Sequence, residues 1–189
     1  MDTVKANKAG IARAVAVLRR GGVIAYPTDT AYGLGGVFNS AAVVKKILRI
    51  KNRRDRKFTI VAASRQQVKR FFKLGPLEKK LARWYWPGPL SIVVSKRFAV
   101  RVSAHRVTRE LCRRVGKPLI ATSANLTGHA VNYSVGIIAK QLKHKRSKPD
   151  LILDAGKLVK QKTSTVVKVT AGKIEVVRQG AVRLPAGIK

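Results

Sequence analysis

Two polar triplets carry the residue types that could do chemistry in this chain, Lys51-Asn52-Arg53 and Ser123-Ala124-Asn125. Each follows an apolar run, and neither is needed to build a hydrophobic core. The first opens residues 51–57, where five of the seven residues are basic and only Asp55 is acidic. Lysine offers a compact charge and arginine a planar fork that matches phosphate or carboxylate. The mixture therefore suits a polyphosphate better than a single monovalent group.

The second triplet adds neutral polar groups to this basic cluster. Ser123 supplies a hydroxyl and Asn125 a carboxamide, and both can hydrogen-bond the polar edges of a ligand. Each triplet also has a purely structural interpretation, the first as a solvated basic loop and the second as a turn or a helix start. Taken alone, neither triplet decides between these interpretations.

A third motif spans residues 22–36, where an apolar run leads into proline, two threonines, aspartate, tyrosine and a glycine cluster. This order predicts a strand followed by a binding loop. Pro27 is expected to end the strand pairing, and Gly33, Gly35 and Gly36 to permit positive φ angles and close approach of backbone amides to a ligand. The motif matches neither the Walker phosphate loop nor the dinucleotide fingerprint.

Helix and strand patterns alternate along the chain, which predicts a single α/β domain over residues 1–189. The predicted helices cover residues 9–20, 40–50, 64–72, 76–85, 105–115 and 134–142, with Ser40 and Ser64 as caps. The predicted strands cover residues 23–26, 58–63, 90–95, 99–102, 119–122, 151–153, 165–169 and 174–178. The strand at 119–122 delivers Ser123 and Asn125 at its carboxyl end, where open α/β sheets usually bind ligands. The last two strands form a hairpin, and the basic stretch 143–148 is expected to be a mobile surface loop.

Seven ordered segments carry further motifs, and they are residues 26–34 (YPTDTAYGL), the Lys51-x-Arg53 motif, 86–90 (WPGPL), 100–102 (VRV), 121–125 (ATSAN), 164–167 (STVV) and 178–180 (RQG). Together these segments resemble the YrdC/TsaC family of L-threonylcarbamoyladenylate synthases, and the resemblance covers nearly the whole chain. It implies a YrdC-like α/β fold, an open twisted mixed sheet flanked by helices, with a basic concave binding face. It also implies an enzyme, a nucleotidyltransferase that converts L-threonine, bicarbonate and ATP into threonylcarbamoyl-AMP and pyrophosphate. A separate tRNA threonylcarbamoyl-transferase complex would then use the product to modify tRNA.

The resemblance assigns roles to the matching residues. Lys51 and Arg53 resemble the ATP phosphate ligands and are the predicted catalytic residues, with Lys57 assisting them. Arg101 resembles the arginine that pairs with the carboxylate of threonine. The other predicted threonine contacts are Thr28, Thr30, Tyr32 and Ser164, and the other predicted ATP contacts are Ser123, Asn125 and Arg178.

The implied reaction calls for Mg²⁺ on the ATP phosphates, because a cation bridging phosphate oxygens offsets the charge that develops in adenylyl transfer. No dedicated cluster of metal-ligating residues is visible in the sequence. Catalysis is expected to rest on positioning and charge, without a protein nucleophile.

The remaining titratable residues are less informative. Asp29 is the only carboxylate of the third motif, and it either orients a group, accepts a proton, or bonds the local backbone of a turn. The three histidines have no partner pattern and receive no catalytic role. Cys112 is the only cysteine, so the sequence contains no internal disulfide, and it is expected on an apolar helix face.

Composition limits the function independently of any motif. The chain has 189 residues, 46% of them hydrophobic, which suits one domain with a sizeable core. It carries 41 Lys and Arg against 8 acidic residues, a net charge of +33 spread along its length. Such a charge attracts polyanions, so we expect salt-sensitive affinity for tRNA or other RNA. A basic host proteome, high internal salt, and steering of anionic substrates are alternative explanations.

Two other functions stay open. One is a non-catalytic protein on the same fold that binds double-stranded RNA or tRNA or matures ribosomes; the charge favours it, but it leaves the threonine-side residues unexplained. The other is a carbamoyl-adenylate enzyme of the hydrogenase-maturation type, disfavoured because its accompanying acylphosphatase, zinc-finger and transferase domains are not in the sequence.

No apolar stretch approaches the roughly twenty residues of a membrane span, and the N-terminus lacks the apolar segment of a signal peptide. The expected location is therefore the cytoplasm, without membrane association.

Overall fold

One mixed β-sheet of ten strands runs through residues 2–185, the part of the chain that the computed structural model describes. Its strand order is β1-β8-β2-β3-β7-β4-β6-β5-β9-β10, with four parallel and five antiparallel neighbours. The strands are β1 (Asp2–Lys5), β2 (Ile24–Pro27), β3 (Tyr32–Gly35), β4 (Phe58–Ala62), β5 (Leu90–Val93), β6 (Phe98–Val102), β7 (Leu119–Ser123), β8 (Leu151–Asp154), β9 (Thr165–Thr170) and β10 (Lys173–Arg178). The predicted open mixed sheet is confirmed.

Six helices in the same part of the chain pack on this sheet, and each lies within about two residues of its predicted range. They are α1 (Lys8–Arg19), α2 (Ala41–Lys51), α3 (Arg65–Phe71), α4 (Pro76–Tyr85), α5 (Arg106–Val115) and α6 (Val135–Leu142). Ser40 and Ser64 cap α2 and α3 as predicted, because each hydroxyl accepts a hydrogen bond from the backbone N–H three residues on. None of the helices within residues 2–185 has the length and apolar character needed to cross a membrane.

Alternation along the strands places the core on both faces of the sheet. Ile24 and Tyr26 pack into a cluster with α1 and α5, while Ala25 between them packs into a larger cluster on the other face. In β4, Val61 likewise joins the first cluster and its neighbour Ile60 joins the larger one. Helices therefore cover both faces, as a sheet buried on both sides requires.

The glycine-rich part of the third motif differs from the prediction. Residues 32–35 form β3 rather than a binding loop. Pro27 is the last residue of β2 and pairs with Tyr32, so the strand pairing ends there as predicted. Only Ile24 and Ala25 of β2 pair with β8. Pro27 lies beyond that stretch, so its missing N–H interrupts no bond to β8.

The positive φ angles predicted at Gly33, Gly35 and Gly36 were also wrong. None of the three has a positive φ. A Cβ atom on Gly35 would lie 1.6 Å from the backbone oxygen of Ile120, and one on Gly36 would lie 2.7 Å from that of Gly22. These glycines therefore let neighbouring backbone segments come close to each other, and Gly35 has no room for a side chain.

Strand β1 (Asp2–Lys5) was missed by the sequence analysis. It is short and mostly exposed, and it pairs in parallel with β8 at the edge of the sheet. Its four residues carry no buried apolar alternation, so the pattern on which strand prediction depends is absent.

We expect Gly35→Ala to lower the free energy of unfolding by about 3 kcal/mol or more, because the new Cβ atom can be accommodated only by moving β3 away from β7. Urea denaturation followed by circular dichroism measures the change. Gly136→Ala is the matched control, since Gly136 lies in α6 and a Cβ atom added to it would have no heavy atom within 4 Å. There we expect a gain of about 0.5–1 kcal/mol. Equal effects at the two sites would contradict the close approach of β3 to its neighbour.

Candidate anion-binding cleft

A cleft of about 1180 Å³ is lined by the segments that follow β2 and β7, by the segment before β4, by the β5–β6 turn and by the β9–β10 hairpin. Of the described residues, one acidic side chain, Glu78, and eight basic side chains line it. The basic ones are Arg53, Lys57, Lys73, Lys96, Arg97, Arg101, Lys168 and Arg178. The cleft is therefore a strongly positive concave surface, suited to a ligand with several negative charges.

Nine of the eleven predicted site residues line this cleft. They come from five separate segments of the chain, which the sheet brings together. They are Thr28, Thr30, Tyr32, Arg53, Lys57, Arg101, Ser123, Ser164 and Arg178. The other two, Lys51 and Asn125, are not among the residues that line the cleft.

The turn between β2 and β3 presents Thr30 to the cleft. Thr28 builds this turn, because its hydroxyl donates to the carbonyl of Ala31 at 2.7 Å and its backbone N–H donates to the same oxygen at 3.1 Å. The hydroxyls of Thr28 and Thr30 are 3.2 Å apart. Tyr32 supports the wall from the next strand: its hydroxyl donates to the carbonyl of Gly156 and accepts from the N–H of Ala155. Burial raises the pKa of Tyr32 to about 12, so this hydroxyl keeps its proton.

Arg101 on β6 forms a buried ion pair with Asp29. Its Nη1 donates to both carboxylate oxygens, at 2.6 and 2.7 Å, and its Nη2 is 3.4 Å from the hydroxyl of Thr30. The hydroxyl of Ser103 donates to Oδ1 of Asp29 at 2.7 Å. Asp29 thus orients another side chain, and the interpretation of its carboxylate as a group bonding its own turn is wrong.

Ser164, just before β9, and Arg178, the last residue of β10, meet at the open end of the hairpin. Arg178 donates from Nη2 to the carbonyl of Ser164 at 2.7 Å and to its hydroxyl at 3.0 Å. The same hydroxyl lies 3.1 Å from that of Ser91. Burial, and then the positive charge of Arg101, lower the pKa of Arg178. Arg101 and Arg178 line the same cleft.

The carboxylate of Asp55 partly neutralises the basic segment that follows α2. Arg53 donates from Nη2 to Asp55 at 2.7 Å and to the carbonyl of Lys57 at 2.8 Å, and its guanidinium lies 5.5 Å from the ring centre of Phe58. The hydrogen bond from Arg53 lowers the pKa of Asp55, which stays ionised. Lys57 is exposed and lines the cleft, and its backbone N–H donates to Oδ1 of Asp55 at 2.9 Å.

Four basic residues of the cleft were missed by sequence reasoning, Lys73, Lys96, Arg97 and Lys168. The parallel pairing of β4 with β6 explains two of them, since the N–H of Phe58 donates to the carbonyl of Arg97 at 2.8 Å. This bond places the β5–β6 turn beside Lys57. No local signal in the sequence specifies which distant basic residues share a wall, because strand order is a property of the whole sheet.

Lys51 and Asn125 bond to other groups of the protein. The ammonium of Lys51 is buried and donates to the carbonyls of Ser123 at 2.6 Å and Asn125 at 2.7 Å, and to the side-chain oxygen of Asn125 at 3.3 Å. The Asn125 amide donates in turn to the carbonyl of His129. These side chains fix the segment that carries Ser123. A direct contact of Lys51 with phosphate stays a prediction.

Within residues 2–185, no group of three or more His, Cys, Asp or Glu side chains is arranged to hold a metal ion. Asp29 and Asp55 are each bonded to an arginine.

These features define an α/β protein with an open mixed sheet and a basic cleft. A model of the Sua5/YciO/YrdC family, described as "Telomere recombination", matches residues 16–180, and the chain belongs to this family. The threonylcarbamoyl-AMP synthase of Thiobacillus denitrificans is 34% identical to it, over 92% of this chain and 98% of the relative. The family and the fold class expected from the sequence are confirmed.

Solved structures agree with this assignment. Sua5 of P. abyssi, in a complex with L-threonine, superposes with a TM-score of 0.83 at 30% identity, over 95% of this chain and 57% of Sua5. The chain thus spans less than two thirds of the length of Sua5. YciO of E. coli superposes with a TM-score of 0.80 at 26% identity, over 95% of this chain and 94% of YciO.

The buried ammonium of Lys51 predicts a pH effect. Burial, and then the charge of Arg53, lower the pKa of Lys51 from 10.5 to about 8. Between these two pH values the unfolded chain holds a proton that the folded chain has begun to release, so this group makes folding more favourable as pH rises. We expect the free energy of unfolding of the wild type, relative to that of Lys51→Met, to increase between pH 8 and 10.

Urea denaturation at several pH values measures this difference. The comparison with Lys51→Met is needed because Tyr32 and Cys112, whose pKa values burial raises to about 12, destabilise the folded state over the same alkaline range in both chains. A difference that does not change with pH would contradict the lowered pKa.

Proposed function

We propose that this chain catalyses the synthesis of threonylcarbamoyl-AMP and pyrophosphate from L-threonine, bicarbonate and ATP. The observation that carries the proposal is the meeting of Thr30, Arg101, Ser164 and Arg178 in one basic cleft. Membership of the family and the names of its relatives support the same reaction, since the P. abyssi structure is described as a complex with L-threonine. The nine predicted residues that line the cleft keep their predicted roles within this proposal.

The threonine end of the cleft would lie between Arg101 and Arg178. Nη2 of Arg101 points to the hydroxyl of Thr30 and makes only that one long contact among the described residues. A carboxylate placed there would accept charge-assisted hydrogen bonds, which are shorter and stronger than neutral ones. The hydroxyls of Thr30 and Ser164 are placed to hydrogen-bond the other polar groups of an amino acid.

The ATP end would use the basic residues around the β5–β6 turn. Lys57, Lys96 and Arg97 belong to neighbouring segments, and Arg53 and Lys73 line the same cleft. Ser123 lies on the side where the nucleoside would bind, on the segment that Lys51 and Asn125 hold. Because residues 2–185 contain no cluster of metal ligands, Mg²⁺ would enter with the phosphates of ATP as part of the substrate.

The reaction that we propose follows from the charges on this surface. The neutral amine of threonine attacks the carbon of bicarbonate, forming the N–C bond of a carbamate and releasing water. A carbamate oxygen then attacks the α-phosphorus of ATP. The bond from this phosphorus to the oxygen that bridges it to the β-phosphate breaks, and pyrophosphate leaves with the electron pair of that bond. The cleft would hold the anionic reactants in line and offset the charge that develops on the phosphate oxygens, without a protein nucleophile.

Pyrophosphate release tests the proposal directly. Purified protein with ATP and Mg²⁺ is expected to release pyrophosphate only when an amino-acid substrate and bicarbonate are both present, and faster with L-threonine than with L-serine. The serine control matters because the two amino acids share the carboxylate that Arg101 would bind and differ by one methyl group. Release that depends on neither substrate would contradict the synthase function.

RNA binding is a second candidate function, favoured by the net charge of +33 and by the basic side chains spread over the chain. A polyanion gains affinity from many such contacts without a dedicated motif, as counterions are released from its phosphates. The proposed partners are tRNA and the tRNA threonylcarbamoyl-transferase complex that would use the product. We also propose that the protein works in the cytoplasm, where tRNA is modified.

The variant Lys51→Ala distinguishes the two candidate functions. Because Lys51 is 4% exposed, its loss removes almost no charge from the surface that RNA would contact. We expect adenylate synthesis to be abolished and tRNA affinity, measured by fluorescence anisotropy, to change by less than about twofold. In both proteins tRNA affinity is expected to fall by about 10³-fold or more between 50 and 200 mM salt. Lys143→Ala, at an exposed lysine, is the control for single-charge loss.

Circular dichroism must show that Lys51→Ala is folded. An unchanged rate of synthesis in that folded variant would contradict the role of Lys51 in holding the site. A large loss of tRNA affinity would contradict the separation between the buried and the surface cations.

A further inference from the structure

We propose that Asp29 and Ser103 are positioning residues, which hold Arg101 so that its Nη2 atom faces the carboxylate of the amino-acid substrate. The inference rests on the proposed function, because it concerns the amino-acid end of the same cleft. Asp29 and Ser103 would act through Arg101 and would not need to touch the substrate.

The first step of the argument is the burial of Arg101. It lies in the middle of the sheet between Val100 and Val102, and its side chain is only 4% exposed. An arginine stays charged in a protein, so a guanidinium removed from water needs a partner close by. Asp29, whose side chain is 8% exposed, is that partner.

The second step is the count of hydrogen-bond donors on the guanidinium. Arginine has five N–H groups. Nη1 faces the two oxygens of Asp29, at 2.6 and 2.7 Å. Nη2 has one long contact, 3.4 Å to the hydroxyl of Thr30, and Nε is buried with no partner among the described residues. The donors on Nη2 are therefore the ones that Asp29 leaves available beside Thr30.

The third step is the anchoring of Asp29 itself. Ser103 is fully buried, and its hydroxyl donates to Oδ1 of Asp29 at 2.7 Å while accepting from the backbone N–H of His105 at 3.2 Å. A chain of bonds therefore runs from the backbone before α5 through Ser103 and Asp29 to Arg101. A carboxylate held by two donors has little freedom to rotate, so the orientation of Arg101 is set before any ligand binds.

A purely structural ion pair would look similar but would behave differently when changed. Removing such a pair lowers stability and affects every substrate alike. A positioning pair acts selectively on the group that Arg101 binds, here a carboxylate. The discriminating ligand is therefore L-threoninol, which resembles threonine but has a hydroxymethyl group in place of the carboxylate.

The main variant is Asp29→Glu, which keeps the buried charge pair and moves the carboxylate by one methylene. Displacement of an orienting group by about 1 Å can cost two orders of magnitude, so we expect the KM for threonine to rise by about 10- to 100-fold. The KM for ATP is expected to stay within about twofold of the wild type. Ser103→Ala, which leaves the ion pair in place, is expected to act in the same direction and more weakly.

Asp150→Glu is the matched control. Asp150 is another carboxylate with two donors, the backbone N–H of Val23 at 2.8 Å and the ammonium of Lys46 at 2.5 Å, and its side chain is 39% exposed. It does not line the cleft. We expect both KM values of this variant to stay within about twofold of the wild type.

Isothermal titration calorimetry with threonine and threoninol gives a second measure that needs no turnover. The wild type is expected to prefer threonine, and Asp29→Glu and Ser103→Ala to lose much of that preference while ATP binding persists. If the variants keep the preference for threonine, or weaken threonine and ATP binding equally, the positioning role is overturned while the proposed function stands. A wild-type chain that neither binds threonine nor needs it for pyrophosphate release would overturn the proposed function and this inference together.

Should Asp29→Glu fail to fold, Ser103→Ala decides the question alone, because it removes one hydrogen bond and no charge.

Discussion

The hydrogen bonds from the ammonium of Lys51 to the segment after β7 are the interaction on which the cleft depends. They join the last residue of α2 to the backbone of Ser123 and Asn125, more than seventy residues further along the chain. Thr127 strengthens the connection from the other side, since its hydroxyl donates to the carbonyl of Lys51 at 2.9 Å. The basic segment that begins at Arg53 and the polar segment that contains Ser123 are thereby fixed relative to each other.

A second constraint is the shortage of negative charge. The chain has eight acidic residues, and six of them form ion pairs with lysine or arginine in the described part of the chain. Five of these pairs have partly or largely exposed side chains, where an ion pair contributes little to stability. Among these six, only the pair of Asp29 with Arg101 has both side chains almost fully buried. In a protein of net charge +33, a buried carboxylate beside the cleft is better explained by the need to orient one arginine than by a general need for neutralisation.

Much of this arrangement follows from the sequence. Helical spacing and serine caps predicted the six helices of residues 2–185, and the resemblance to the YrdC/TsaC family predicted nine of the residues that line the cleft. What sequence reasoning missed depends on contacts between distant segments. The glycines of β3 were interpreted as ligand-binding because a pattern of glycines reveals close approach without revealing the partner, which for Gly35 is the backbone of Ile120. Lys96 and Arg97 were missed because their place beside Lys57 depends on the parallel pairing of β4 with β6. Local sequence patterns determine the helices and strands, whereas the order of the strands in the sheet decides which distant segments line the same part of the cleft.

The cations of this protein divide by burial into two groups with different physical tasks. Lys51 and Arg101 are buried, and oxygen atoms of the protein surround or pair them, so their positions are fixed before a ligand arrives. Lys57, Lys96 and Arg97 are exposed, and their flexible side chains can follow a polyphosphate or a nucleic-acid backbone. Salt screens the second group and hardly affects the first. Interactions between exposed charges are largely screened beyond a Debye length, whereas buried pairs are screened much less. Recognition of an amino acid and attraction of a polyanion can therefore coexist in one cleft and respond to different conditions.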